Sequence, residues 1–253
     1  MKMNKWMYLL IGVLAVLLAL SAVKDNMIKF SVEKVVQGVT GLKLSISGME
    51  VGIFSGIIDI KGLKLHNPRG FKDRLMLDMP EIYVHYDLPA FFRGKIHFKD
   101  MKINMKEFIV EKNSRAQLNL DSLKVVSDSG AEKAKPEEGK KGPGMRLQID
   151  TLELKVGKVI YKDYSQGGAP SVNEFDVDIN EKYENITDLQ SLVSLILMKS
   201  LAKTTISKLA DFELDRLTSG ISDNLLSQVS GKLFGSSGAG KMLGEAVEKM
   251  MGQ

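Results

Sequence analysis

A glycine-rich stretch near the end of the chain has the spacing of a phosphate-binding loop. Residues 235–241 read GSSGAGK, and in a GxxxxGK loop the backbone N–H groups and the lysine hold nucleotide phosphates. The next residue is Met242, where such loops carry a serine or threonine for Mg²⁺, and the preceding segment has a helical period. We interpret the stretch as a hinge between two helices and expect no cofactor.

Other residues able to support catalysis or metal binding are scattered. His66, His85 and His97 fall in three separate strand-like segments, and the chain contains no cysteine. A metal site needs ligands that the fold brings together, so we predict none. The carboxylates form no recognisable acid–base pair, and no serine has the surroundings of a nucleophile elbow. The sequence therefore predicts a protein that is not an enzyme.

The charge balance is mild. The chain has 35 basic and 31 acidic residues, a net charge of +4, and the two signs alternate along most of its length. A nucleic-acid surface requires a concentrated basic patch, so we expect no nucleic-acid partner. The small excess of positive charge is compatible with anionic lipid head groups.

One uncharged apolar run lies near the N-terminus. Residues 6–23 read WMYLLIGVLAVLLALSAV, which as a helix would reach roughly 27 Å, close to the ~30 Å hydrocarbon thickness of a bilayer. Lys2 and Lys5 precede it, so the positive-inside rule leaves residues 1–5 in the cytoplasm and exports the rest. The sequence thus predicts a single-pass transmembrane anchor. A cleaved signal peptide is the alternative, because Ala19 and Ser21 suit a signal peptidase.

The period of the apolar residues divides the rest of the chain. Residues 24–41 have helical spacing and stop at Gly41, which predicts a short linking helix. Residues 42–126 alternate with a period of two, as in a sheet with one apolar face. The alternation slips by one residue at Gly62, Pro80 and Asp100, where the chain either reverses or forms a β-bulge. At Gly62 and Asp100 there is little room for a turn, which favours bulges that curve the strands.

Three further segments follow. Residues 127–145 are rich in Lys, Glu, Gly and Pro, which predicts a flexible linker. Residues 146–184 resume the strand pattern, with slips near Asp150 and Gly157, and continue the sheet. Residues 185–253 have a helical period, with Thr187 as an expected N-cap and Lys199 on the polar side. The predicted fold class is α+β: an N-terminal transmembrane helix, a strongly curved, mostly antiparallel groove-like sheet, and C-terminal amphipathic helices.

Several strand segments carry a recognisable wording. Residues 62–71 read GLKLHNPRGF, residues 87–103 open with Asp87 and Leu88, and residues 147–165 read LQIDTLELKVGKVIYKDYS. Behind a membrane anchor, this order of elements resembles the N-terminal part of AsmA-like proteins, and the resemblance covers roughly residues 6–165. It implies an inner-membrane protein whose bulk is periplasmic and whose gutter-shaped sheet binds or helps to move lipids during envelope biogenesis.

The resemblance also implies a lipid site on the apolar face. Its expected ligand is a membrane phospholipid or another acyl-chain lipid, and the candidate lining residues are Ile58, Ile60, Leu63, Leu65, Leu75, Leu77, Ile82, Val84, Ile96, Phe98, Met101, Ile103, Leu147, Ile149, Leu152 and Leu154. The chain is much shorter than the long family members, which favours local lipid handling or a homo-oligomer over bridging an envelope.

Two questions stay open at the level of sequence. The C-terminal helices could fill the groove and close it, or leave part of it open to lipid. The alternative function is a non-catalytic scaffold that docks on an envelope protein partner or a bilayer through these helices.

Overall fold

One six-stranded sheet dominates the structure. The computed structural model describes residues 40–123, 146–218 and 220–233, together with residue 126 and a few positions between 29 and 37. The strands lie in chain order across the sheet: β1 (Leu44–Gly52), β2 (Ile57–His66), β3 (Leu75–Tyr86), β4 (Lys95–Lys112), β5 (Arg146–Asp163) and β6 (Ser171–Ile186). Both strand-rich blocks of the sequence therefore contribute to a single sheet.

The helices are few and mostly short. They are α1 (Leu88–Phe92), a 3₁₀ turn (Asn119–Ser122), α2 (Leu189–Ala202), α3 (Ile206–Leu209), α4 (Asp215–Thr218) and α5 (Asp223–Leu233). The described positions between 29 and 40 are also helical, and they end at Gly41, whose φ is +79°. The residues predicted as the N-terminal tail (1–5), the linker (127–145) and the hinge (235–241) lie outside the described residues.

The expectation of a mostly antiparallel sheet is corrected to a mixed sheet. Each pairing is antiparallel except that of β4 with β5, which run parallel from Lys95 opposite Arg146 to Lys112 opposite Asp163. Parallel neighbours need a long connection that returns the chain to the same end of the sheet. The segment between β4 and β5 has that length, and the alternation of side chains within each strand carries no information about it.

The expectation of a transmembrane helix, and with it a single-pass inner-membrane location, is also corrected. Among the described residues, no helix is long and apolar enough to cross a membrane. The most apolar one, α2, has 14 residues and reaches only about 21 Å. Residues 6–23, on which the expectation was based, are not among those described.

The slips in alternation meet along one line across the sheet. In β1, β2 and β3 this line falls between buried apolar residues that are three positions apart: Ile46 and Met49, Ile60 and Leu63, Met79 and Ile82. Pairing continues across it without a register shift, since Ile46 faces Leu63 and Leu63 faces Met79. In β4 and β5 the same spacing separates Met105 from Phe108 and Val156 from Val159, about two residues along the strands from the slip in β3. We call this line the crease.

The crease accounts for the slips in alternation at Gly62 and Pro80. Because neighbouring strands share the slip at Gly62 and Pro80, these positions are not bulges in a single strand. A register shift does occur where His85 faces Asp100 and Tyr86 faces Phe98, so Lys99 is an extra residue there. The bulge predicted near Asp100 is therefore confirmed, and the one predicted at Gly62 is wrong.

Gly157 is required where β4 and β5 approach each other at the crease. A Cβ at this position would lie 2.8 Å from the backbone carbonyl oxygen of Lys106, which belongs to a central strand. We expect Gly157→Ala to lower the free energy of unfolding by about 1–3 kcal/mol, because the backbone must shift. Gly48→Ala is the control, since its Cβ would meet only the Lys61 Cβ at 3.8 Å. Equal urea midpoints for the two variants would contradict the expected effect.

The C-terminal helices cover the apolar face of the sheet. α2 packs against β5 and β6, and α5 packs against β6. α2 is buried on nearly all sides, so it is a core helix rather than the predicted amphipathic one, and Lys199 is only 3% exposed. Asp188, not Thr187, is its N-cap, with a carboxylate oxygen accepting a hydrogen bond from the Ser191 N–H at 2.6 Å.

α5 also covers part of the free edge of β6. The Gln228 side chain accepts a hydrogen bond from the Glu184 N–H at 2.9 Å and donates one to the Glu184 carbonyl at 2.8 Å. Further along β6, the Lys203 ammonium donates to the Val177 carbonyl at 3.0 Å. Side chains thus occupy edge positions that a seventh strand would otherwise use.

Candidate functional site

Most of the predicted lipid-lining residues lie in the hydrophobic core. They form one cluster with Leu195 and Leu197 of α2, and the buried members are Ile60, Leu63, Leu65, Leu77, Ile82, Val84, Ile103, Ile149, Leu152 and Leu154. Leu152 and Leu154 have no exposed surface at all. Over this part of the face, the protein's own side chains occupy the space that an acyl chain would take.

The other predicted lining residues are half-buried: Ile58, Leu75, Ile96, Phe98, Met101 and Leu147. Apart from Leu75, they lie toward the end of the sheet where β4 and β5 begin. Ile58 and Met101 both pair with Val84, and Ile96 pairs with Leu147. Because directly paired residues share a face, these side chains form a continuous half-buried patch, which we call the apolar mouth (Ile58, Ile96, Phe98, Met101 and Leu147).

Two loops at this same end expose large apolar side chains. The β1–β2 turn presents Ile53 and Phe54, which are 44% and 102% exposed, and α1 presents Phe91 and Phe92, which are 50% and 80% exposed. We call these four residues the apolar tips. Phe91 and Phe92 pack edge to face, with ring centroids 6.1 Å apart.

Tyr86 bonds the β1–β2 turn to the end of β3, just before α1. Its hydroxyl donates to the carbonyls of Gly52 and Ile53 at 3.1 and 3.3 Å, and its N–H donates to the Gly56 carbonyl at 2.7 Å. Gly56 has a φ of +67°, and a Cβ there would lie 2.8 Å from the Tyr86 carbonyl oxygen. Burial raises the pKa of the Tyr86 hydroxyl, so it remains a hydrogen-bond donor at neutral pH.

Histidine and carboxylate groups near the mouth bind one another. His97 Nε2 lies 2.7 Å from an Asp150 carboxylate oxygen, and its Nδ1 lies 3.4 Å from Asp87, which Arg93 also approaches at 3.8 Å. His97 thereby ties the start of β4 to β5 and to the residue before α1. In the part of the chain that the structure describes, no group of three or more His, Asp or Glu side chains is placed to hold a metal ion.

The NPRGF segment is held by a buried polar cluster. Glu111 is fully buried and accepts hydrogen bonds from the N–H groups of Lys72 and Asp73 at 2.7 and 2.9 Å. Asn119, also fully buried, donates to the Asn67 side chain at 2.9 Å and to the Ile109 carbonyl at 2.8 Å. These contacts fix the β2–β3 connection, so the motif has a structural role in this fold.

The polar face of the sheet carries paired charges around a concavity of about 610 Å³. Lys61 binds Glu81 at 2.7 Å and Lys155 binds Glu153 at 3.1 Å. Hydrogen bonds from these lysines lower the pKa values of the Glu81 and Glu153 carboxyls. Exposed pairs of this kind contribute little to stability and indicate no catalytic group.

The site that the structure assembles is therefore an apolar end of the sheet. It combines the mouth, which belongs to the predicted lining, with the tips, which sequence reasoning missed. Phe91 and Phe92 follow Pro89 and precede Arg93 and Gly94, a composition typical of a turn. Two adjacent aromatic residues are unusual in an exposed turn, and this is the feature of the sequence that could have indicated the tips.

Comparison with known proteins gives no relative. No protein-family model, no curated protein and no solved structure matches the chain.

Proposed function

We propose that this protein is a non-enzymatic lipid-binding protein that takes an acyl chain at the apolar mouth. The observation that carries the proposal is the gathering of half-buried apolar residues at the same end of the sheet as four exposed ones. Elsewhere on the face, the predicted lining residues are mostly buried in the core. Lipid contact is thus confined to the end of the sheet, and the AsmA-like resemblance remains a prediction that points to the same ligand class.

The mouth has a size suited to part of an acyl chain. From Ile96 to Met101 it extends about 16 Å along β4, at ~3.3 Å per residue. An acyl chain that buries about eight methylene groups there would gain roughly 6 kcal/mol, at ~0.8 kcal/mol each. Met101 is unbranched and adaptable, which suits a flexible ligand.

The alternative function, docking on a partner through the C-terminal helices, has no supporting observation between residues 189 and 229. Leu195, Leu217, Leu225 and Val229 are buried within the chain's own core. The apolar sides of the helices described between residues 189 and 229 pack in this core, so they present no exposed apolar stripe to a partner.

The proposal predicts that lipid binding depends on the mouth. Purified protein is expected to carry phospholipid in native mass spectrometry, and Ile96→Glu combined with Leu147→Glu should reduce the bound fraction at least tenfold. An unpaired carboxylate beside an acyl chain is unfavourable, so we expect the binding free energy to weaken by at least about 1.4 kcal/mol.

Leu75→Glu is the matched control. Leu75 is also half-buried and predicted to line the groove, but it lies at the start of β3, at the opposite end of the sheet. This variant should keep its lipid. Wild-type protein without lipid, or equal loss in all three proteins with unchanged circular dichroism, would refute the proposal.

A further inference from the structure

The apolar tips are an unusual surface for a protein in water. Two other exposed large apolar side chains, Val172 and Leu209, lie toward the opposite end of the sheet. Phe54 is fully exposed, so no side chain of the described residues packs over it. Such a concentration of exposed apolar side chains marks a contact with another apolar phase.

The tips are held in place rather than free to fold back. Tyr86 bonds the β1–β2 turn to the end of β3, and α1 follows directly at Leu88. The Arg93 N–H donates to the Ala90 carbonyl at 3.0 Å and closes the short helix. Both loops are therefore held at the same end of the sheet, with their aromatic side chains exposed.

The charges around the tips favour an anionic partner. Arg93 and Lys95 follow Phe92 closely, and both are exposed. The nearby carboxylates each have a basic partner: Asp87 contacts Arg93 and His97, Asp150 contacts His97, and Asp100 lies 3.6 Å from His85. The exposed side chains of Arg93 and Lys95 add positive charge beside the aromatic rings.

We propose that the apolar tips insert into the interface of a bilayer that contains anionic phospholipid, with Arg93 and Lys95 on the lipid phosphates. Aromatic residues are favoured at the membrane interface, and basic residues beside them bind anionic head groups. Two separate loops that each project exposed aromatic rings suit a fluid interface, which needs no matching shape. This docking goes beyond the proposed lipid binding and does not depend on it.

The docking places the apolar mouth against the membrane. Ile96 and Phe98 follow Arg93 on β4, so a head group held by Arg93 lies beside the half-buried patch. A lipid leaving the bilayer would then move from the tips to the mouth without crossing water.

The absence of cysteine in the chain allows a local test. Phe54→Cys can be labelled with an environment-sensitive fluorophore in the full-length protein, and Val172→Cys provides the control at the opposite end of the sheet. With vesicles of phosphatidylcholine and phosphatidylglycerol, emission from position 54 should rise and shift to the blue, while emission from position 172 should stay as in buffer.

Two further variants test the chemistry. In the Phe54→Cys background, Arg93→Gln with Lys95→Gln should weaken vesicle binding about tenfold and remove its dependence on phosphatidylglycerol. Phe92→Ser should reduce the emission change. An emission at position 54 that vesicles leave unchanged, or equal changes at positions 54 and 172, would overturn the proposal. Lipid retained in mass spectrometry by such a non-docking protein would leave the proposed function intact.

Discussion

Replacing Glu181 by glutamine is expected to lower the free energy of unfolding by about 3–5 kcal/mol. The Glu181 carboxylate lies 2.9 Å from the ammonium of Lys199, which is 3% exposed on α2. Glutamine is similar in shape but uncharged, so it would remove a counter-charge from beside that buried ammonium. The pKa of Tyr183 is raised, by burial first and by its hydrogen bond to Glu181 second, which keeps its hydroxyl protonated as a donor to the same carboxylate.

Chemical denaturation of two further variants makes this test specific. Glu174 lies on β6, as Glu181 does, and forms an exposed ion pair with Lys158 of β5. Glu174→Gln should lower the free energy of unfolding by less than about 1 kcal/mol. Combining Glu181→Gln with Lys199→Met removes both buried charges and should recover most of the loss. If the double variant were as unstable as the single one, an unpaired charge would not be the cause.

The second large effect is expected at Asn119. Asn119→Leu keeps the number and branching of the side-chain heavy atoms but leaves the Glu111 N–H and the Ile109 carbonyl without this partner, at a fully buried position. Each buried polar group left unpaired costs about 1–3 kcal/mol, so we expect a loss of about 3 kcal/mol or more. Thermal unfolding and hydrogen exchange at Glu111 would measure it.

Asn180→Leu serves as the comparison for Asn119. Asn180 is exposed on β6, so the same substitution should change stability by no more than about 0.5 kcal/mol. Loss of the Asn119 contacts should also release residues 67–74, which we expect to become sensitive to proteases before the rest of the sheet. Equal stability of the two variants would show that the buried cluster contributes nothing.

The predictions from sequence succeed where one strand decides its own structure. The alternation at Ile58 and Ile60, or at Leu152 and Leu154, reflects one face of one strand, and the structure places these residues on the apolar side. The parallel pairing of β4 and β5 depends on how residues 113–145 connect them. The crease depends on where the slips fall in five neighbouring strands. A linear pattern contains neither relationship.

The same reasoning explains what was missed at the site. Lys199 looks like a surface residue because lysine is rarely buried, and the ion pair with Glu181, 18 residues earlier in the chain, helps to make its burial tolerable. The tips are apolar residues in turns, which alternation assigns to no face. The half-buried mouth differs from the core in how far other parts of the chain cover it, which is a property of packing.

The bonds from Gln228 to Glu184 also bear on how this chain avoids joining its neighbours. A strand from a second molecule could pair at this point of β6 only after the amide of Gln228 had been displaced from both backbone groups. Local opening of α5 would therefore precede any sheet extension here, and the population of that opened state would set the rate of such self-association. The last described helix acts in this sense as a latch against fibre growth.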